Sequence, residues 1–106
     1  MSYRYMRLIV FFDLPRYTAK EVKEATLFPK NLIKDGFLML QESVYCKLVL
    51  NLTALNALKN RVKKYLPESG SVMMLSVTEK QFQDMDICLE QFKSNVYDKD
   101  NRLLIL

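Results

Sequence analysis

Asp13 is the residue whose type and position could do chemistry most directly. It follows five apolar residues, Leu8 to Phe12, and stands two places before Pro15. That run is rich in β-branched and aromatic types and too short for an ordinary helix, so it reads as a strand buried on both faces. Along it Leu8, Val10 and Phe12 point one way, and Arg7, Ile9, Phe11 and Asp13 point the other. Pro15 has no N–H to give a ladder, which ends the strand near Leu14. A carboxylate is thereby placed at the C-terminal edge of a central strand, where a rigid scaffold meets a loop free to vary. Chemistry is commonly put there. The plainer role, capping the turn before Pro15, needs the same position.

What the chain lacks narrows the chemistry. It has no histidine, which removes Ser-His and Cys-His nucleophilic catalysis and imidazole general bases. Cys46 and Cys88 are the only cysteines, and two thiols without histidine cannot close a tetrahedral zinc site. A metal, if used, must be hard and oxygen-bound, Mg²⁺ or Mn²⁺ on carboxylates. Gly36 and Gly70 are the only glycines, so there is no Gly-rich loop to cradle a phosphate, and the common nucleotide-dependent enzymes are excluded.

Charge points toward nucleic acid. Of the net +4, residues 1–53 carry +3, residues 54–67 carry +4 and residues 68–106 carry −3. The middle segment holds Lys59, Arg61, Lys63 and Lys64 with no acid among them. On a helix this makes a positive face able to bind a phosphate backbone by counterion release. An ordinary solvated helix face is the competing explanation. Arg16, just past the first strand, joins these four as a candidate nucleic-acid contact. Tyr3 and Tyr5 beside Arg4 and Arg7 could stack on bases, or simply be aromatics of a strand.

These residues need elements to position them. Thr18-Ala-Lys-Glu21 matches a capping box and opens a helix at about Ala19 that runs to Asp35, with Gly36 as its stop. Val22, Ala25, Pro29, Leu32 and Ile33 fall near one face, and Pro29 predicts a kink or two short helices. Phe37–Leu50 is strand-like throughout and too long for one strand, so it divides near Gln41–Ser43. Asn51–Thr53 caps a helix over Ala54–Leu66 with Leu55, Leu58, Val62 and Tyr65 or Leu66 as its apolar stripe, closed by Pro67 and a Ser69-Gly70 turn. A strand over Val72–Val77 precedes another capping box, Thr78 to Gln81, and a short helix to about Met85. A charged loop, Asp98–Asn101, and a strand-like run, Leu103–Leu106, end the chain.

All 106 residues make one domain. The order strand, helix, strand, strand, helix, strand, with an extra C-terminal strand, is that of a ferredoxin-like α+β sandwich. One helical layer covers one face of the sheet. Since the first strand is apolar on both faces, a second subunit is the simplest cover for the other, which predicts a homodimer. The N-terminal apolar run is shorter than a signal-peptide core and far short of a membrane span, and the widely separated cysteines read as reduced thiols, so a cytoplasmic protein is expected.

Three stretches carry a family likeness. Met6-Arg-Leu-Ile-Val-Phe-Phe-Asp-Leu-Pro15, then Gly36-Phe with Gln41-Glu-Ser-Val-Tyr45, and then Leu75-Ser-Val-Thr-Glu-Lys-Gln-Phe82 resemble the small CRISPR-associated Cas two proteins of the spacer-acquisition module. The likeness is nearest to the branch that accompanies the Cas nine effector, and it spans essentially the full length. Pro29 and the short tail depart from the pattern. The resemblance implies a homodimer that joins two dimers of the Cas one integrase and supports double-stranded DNA. For some members it also implies a Mg²⁺-dependent phosphodiesterase at the residue matching Asp13, which makes Asp13 the expected catalytic and metal-binding residue. Ser43 and Tyr45 could add hydroxyl contacts or could simply sit in the strand pair. One carboxylate is thin ligation for Mg²⁺, and a two-fold axis near Asp13 would supply a second. Bridging of integrase and DNA therefore competes with a metal-dependent endoribonuclease or DNase, akin to the toxin-like interferases, as the main role.

Overall fold

The computed structural model describes residues 5–90. Its elements are β1 (Met6–Asp13), α1 (Ala19–Lys34), β2 (Leu38–Gln41), β3 (Val44–Val49), α2 (Leu52–Lys63), β4 (Ser71–Thr78) and α3 (Glu79–Gln83). The expected base stacking by Tyr3, the charged loop at 98–101 and the terminal strand at 103–106 lie outside the described residues. The sheet runs β2-β3-β1-β4 with every neighbour antiparallel. With two helices on one face, this is the ferredoxin-like α+β sandwich the sequence predicts.

The alternation of β1 sorts the molecule into two faces. Leu8 and Val10 are fully buried toward α1 and α2, in a core with Phe28, Leu32, Phe37, Tyr45, Leu55, Leu58 and Val62. Phe12 packs on the same core, edge-on to Phe28 at 5.1 Å and stacked on Tyr45 at 5.7 Å. On the other face Ile9 pairs with Cys46 and Leu75, and Phe11 with Val44 and Met73. Ile9 and Cys46 are themselves buried there, but the strands around them leave large apolar side chains in water. Leu38, Met73 and Leu75 are 69%, 64% and 51% exposed there, with Leu48 also exposed.

The caps form as their sequences dictate. Thr18 accepts from the Glu21 N–H while the Glu21 carboxylate accepts from the Thr18 N–H. At the other end Gly36, at φ +96°, lets its own N–H reach the Ile33 carbonyl and the Phe37 N–H reach the Leu32 carbonyl. That is a Schellman stop, which only a left-handed residue permits. α1 is one continuous helix through Pro29, not two short ones. Phe28 and Leu32, on either side of the proline, are both buried and hold its two halves on the core. The apolar face is accordingly Ala25, Phe28 and Leu32, while Val22 and Ile33, expected inside, are exposed. The division of residues 37–50 falls where expected. Ser43 supplies the left-handed residue, at φ +67°, that the turn requires and that no glycine or asparagine provides.

α3 rests on one end of the open sheet face. Arg7 reaches out of β1 to Glu79 through Nε (2.7 Å) and Nη2 (3.2 Å), lies 4.4 Å over the Phe82 ring, and approaches Cys46 Sγ at 3.6 Å. The hydrogen bonds from Arg7 hold the Glu79 carboxyl below its ordinary value of 4.5. A depressed folded-state pKa stabilises above the unfolded value and is lost as pH falls through the folded one. The Arg7 side of the pair is raised and so titrates only in strong alkali. Solvent screens a pair this close to the surface, so Glu79→Gln is expected to cost about 0.5–1 kcal/mol at neutral pH. That difference from wild type should close as the solution is acidified below pH 4.5. Thermal melts of the two proteins across pH check it, and a difference that persists in acid would rule this contribution out.

Candidate active site

β1 and β4 together build the mouth of the site. Their register sets Asp13 opposite Ser71, and Asp13 lies exposed where β1 stops before Leu14 and Pro15. A shallow, open pocket here is lined by Asp13, Leu14, Pro15, Arg16, Tyr17, Gly70 and Ser71. Gly70 makes the closeness possible. At φ +94° it has no side chain, and a Cβ there would fall 2.6 Å from the Asp13 carbonyl oxygen and 2.9 Å from Pro15 Cδ. Any other residue would push the Asp13–Pro15 turn away from β4. The Lys20–Glu68 ion pair ties the start of α1 to the loop that carries Gly70.

Of the sequence candidates, Asp13 and Arg16 are brought together at this pocket. Ser43 and Tyr45 are not among its lining. The Ser43 carbonyl accepts the Phe12 N–H at 3.1 Å, so Ser43 serves the neighbouring strand end through its backbone. Tyr45 is a core residue. Its register with Val10 turns it to the helical face, away from Asp13, where burial raises its pKa. The hydroxyl contact considered for Tyr45 therefore gives way to the strand-pair reading. Tyr5, the other candidate stacker, sits at the far end of β1, where its carbonyl accepts the Glu79 N–H.

The basic residues of α2 lie on the helical layer. Lys63 and Lys64 are exposed and Lys59 half-buried. Arg61 is not free, because its guanidinium bonds Asp35 at the end of α1 at 2.9 Å. Asp35 also accepts from the Tyr65 hydroxyl, and burial raises the Tyr65 pKa. An acid absent from the helix's own sequence thus reaches it from a neighbouring element. Sequence reasoning missed Tyr17, Ser71 and the second role of Gly70. The one available signal was that Gly70 is one of only two glycines.

No group of three or more Asp, Glu or Cys side chains able to hold a metal occurs among the described residues. The chain offers a cation the single Asp13 carboxylate at an open rim, which becomes adequate only with a second carboxylate, water or phosphate oxygens.

Fold and site together define a small ferredoxin-like protein with one acidic residue at the mouth of its central strand. The model of the family described as CRISPR associated protein Cas2 matches residues 6–85, and the chain belongs to that family. It is 46% identical over 101 residues to the CRISPR-associated endoribonuclease Cas2 of Treponema denticola, covering 95% of this chain and 100% of that protein. To the endoribonuclease Cas2 of Ligilactobacillus salivarius it is 41% identical, with coverage of 95% and 100%. To that of Streptococcus mutans UA159 it is 42% identical, with coverage of 95% and 93%. A solved structure titled "Crystal structure of cas2" superposes with a TM-score of 0.59 at 22% identity, covering 89% of this chain and 95% of that one, and shares the fold. No helix among the described residues is long and apolar enough to cross a membrane.

Proposed function

We propose that this protein is a homodimeric subunit of CRISPR spacer acquisition that holds nucleic acid and cleaves phosphodiester bonds at a pair of Asp13 residues. The observation that carries the reading is the exposed Asp13 at the edge of a sheet face on which Leu38, Met73 and Leu75 are exposed. A second copy laid on that face removes Leu38, Met73 and Leu75 from water and sets one Asp13 near the other. Two carboxylates then hold what one cannot. Mg²⁺ or Mn²⁺ bound there would polarise a phosphoryl oxygen and lower the pKa of a water. The chain's own residues do the rest. Asp13 sets negative charge at the mouth, and the Arg16 guanidinium on the same rim can fork onto a phosphate. Gly70 keeps the rim tight.

In this reading the dimer bridges Cas one integrase dimers and supports double-stranded DNA on the helical layer. The run Leu75–Phe82 supports placing it in the branch that accompanies the Cas nine effector. The names of the relatives, which are endoribonucleases, favour a second reading in which RNA cleavage is the main role. A nuclease assay on RNA and DNA with Mg²⁺, and with EDTA, tests the catalytic part. Absence of EDTA-sensitive cleavage would overturn it.

DNA binding is tested separately. If Lys59, Lys63 and Lys64 touch phosphates, duplex affinity should fall with salt at a slope of about −0.9 per phosphate neutralised. Charge reversal of Lys59 and Lys63 to Glu should flatten that slope and weaken all duplex sequences alike, because phosphate contacts carry no sequence information. Reversing Arg61 should do less, since Asp35 already engages it. An unchanged slope in the Lys59, Lys63 double variant would leave α2 as a solvated surface.

A further inference from the structure

We propose that the Ser71 hydroxyl is a further oxygen ligand of the cation held at Asp13, supplied by β4. This rests on the metal-dependent reading above and adds a residue to that site.

Ser71 opens β4 and Asp13 closes β1, and the register sets one directly opposite the other. Cross-strand partners in an antiparallel pair project from the same face of the sheet, with their Cβ atoms about 5 Å apart. Both residues are exposed and both line the open pocket. Among the described residues neither the Asp13 carboxylate nor the Ser71 hydroxyl is engaged by another group.

The pattern along β4 sharpens the point. Ser71, Met73, Leu75 and Val77 share the sheet face that carries Asp13. Three of the four are apolar. The one oxygen donor of this row therefore stands opposite the one carboxylate of β1. Gly70, at φ +94°, turns the chain into β4, and its missing Cβ lets the two strand ends close on each other. A hydroxyl held in place by strand pairing adds a ligand at little cost in ordering.

The chemistry fits a hard cation. Carboxylate and hydroxyl oxygens are the donors that Mg²⁺ and Mn²⁺ take, and a serine or threonine hydroxyl ligates Mg²⁺ in phosphate-binding loops. Being neutral, it extends the ligand set without the repulsion that a second carboxylate on the same chain would bring. In the proposed dimer two Asp13 and two Ser71 would face the same ion. The competing role for Ser71 is to donate to a phosphate that Arg16 engages on the same rim.

The test is Mn²⁺ binding to the full chain, followed by electron paramagnetic resonance in the absence of nucleic acid, so that no phosphate intervenes. Ser71→Ala should weaken Mn²⁺ binding about tenfold, and Ser71→Thr, which keeps the hydroxyl, should restore it. Ser71→Cys exchanges a hard oxygen for a soft sulfur. It should raise Cd²⁺ affinity about tenfold or more while Mn²⁺ affinity falls, a change of preference that only a ligand produces. That variant is made in a Cys88→Ser background, because Cys88 is an exposed thiol. Wild-type Mn²⁺ affinity in Ser71→Ala would overturn the proposal. So would a Ser71→Cys protein with no gain for Cd²⁺, or a Ser71→Ala defect seen only when nucleic acid is present. The two readings separate. Ser71-dependent Mn²⁺ binding in a wild-type protein that cleaves nothing sinks the nuclease and leaves the ligand. Mn²⁺ binding and cleavage that are lost in Asp13→Asn but intact in Ser71→Ala sink the ligand alone.

Discussion

Asp13→Asn is expected to lower metal-dependent cleavage by about a hundredfold or more while the protein stays folded and dimeric. Asn keeps the size of the side chain but loses the charge that holds a hard cation, and the transition-state stabilisation such a cation supplies is worth several kcal/mol. The fold should survive because Asp13 is exposed at a strand end, outside the core. Surface changes of this kind stay within about 0.5 kcal/mol. In the absence of metal the dimer should even tighten slightly, since two like charges near one axis repel. Binding of duplex DNA should persist. Cleavage, thermal midpoint, dimer affinity and spacer acquisition measured on this one variant divide the functions. Intact cleavage would end the catalytic role of Asp13. Lost acquisition with dimer and DNA binding intact would show that hydrolysis, rather than bridging, is what the physiological process needs.

The second large effect is expected from Met73→Lys combined with Leu75→Lys. Both residues are exposed on the same face of β4, so in an isolated protomer the change costs little and improves solubility. Between two protomers it buries lysines without partners, each costing several kcal/mol. Dimer affinity should fall by about a thousandfold or more, and sedimentation should show a folded monomer. Cleavage should go with it, because the second Asp13 leaves with the second copy. A protein that remains dimeric would place the interface elsewhere. A monomer that still cleaves at the wild-type rate would show that one Asp13 suffices.

The fold was legible wherever a local rule fixes the answer. Two capping boxes, the Asn51 cap, the Gly36 stop and the Pro15 terminator are each written within a few residues, and each forms. What was not legible depends on partners distant in sequence. Tyr45 could not be assigned a face until its pairing with Val10 fixed the parity of β3. The basic stripe of α2 looked unopposed because Asp35 lies 26 residues before Arg61. Val22 and Ile33 match the helical period, yet the sheet meets α1 at the expected Ala25 and Leu32 and at Phe28, which the expected face left out. The site shows the same division. Asp13 was visible as a carboxylate at a strand end. Gly70 read as a turn residue until the register of β1 with β4 brought it against the Asp13 carbonyl.

The placement of α3 limits how a second copy can lie. A helix is about 10 Å across, and two sheets stacked face to face sit about 10 Å apart. α3, fastened over one end of the open face by Arg7, therefore occupies the same storey that an apposed sheet would fill. It works as a kerb: a partner sheet cannot slide over the Arg7 end of β1 without climbing it, and must park toward the Asp13 end. In the proposed dimer the kerb of the second copy would impose the same stop from the opposite direction. Two such stops would fix the offset between the copies without any contact at Asp13 itself, leaving that residue free of packing duties and open to whatever the mouth receives.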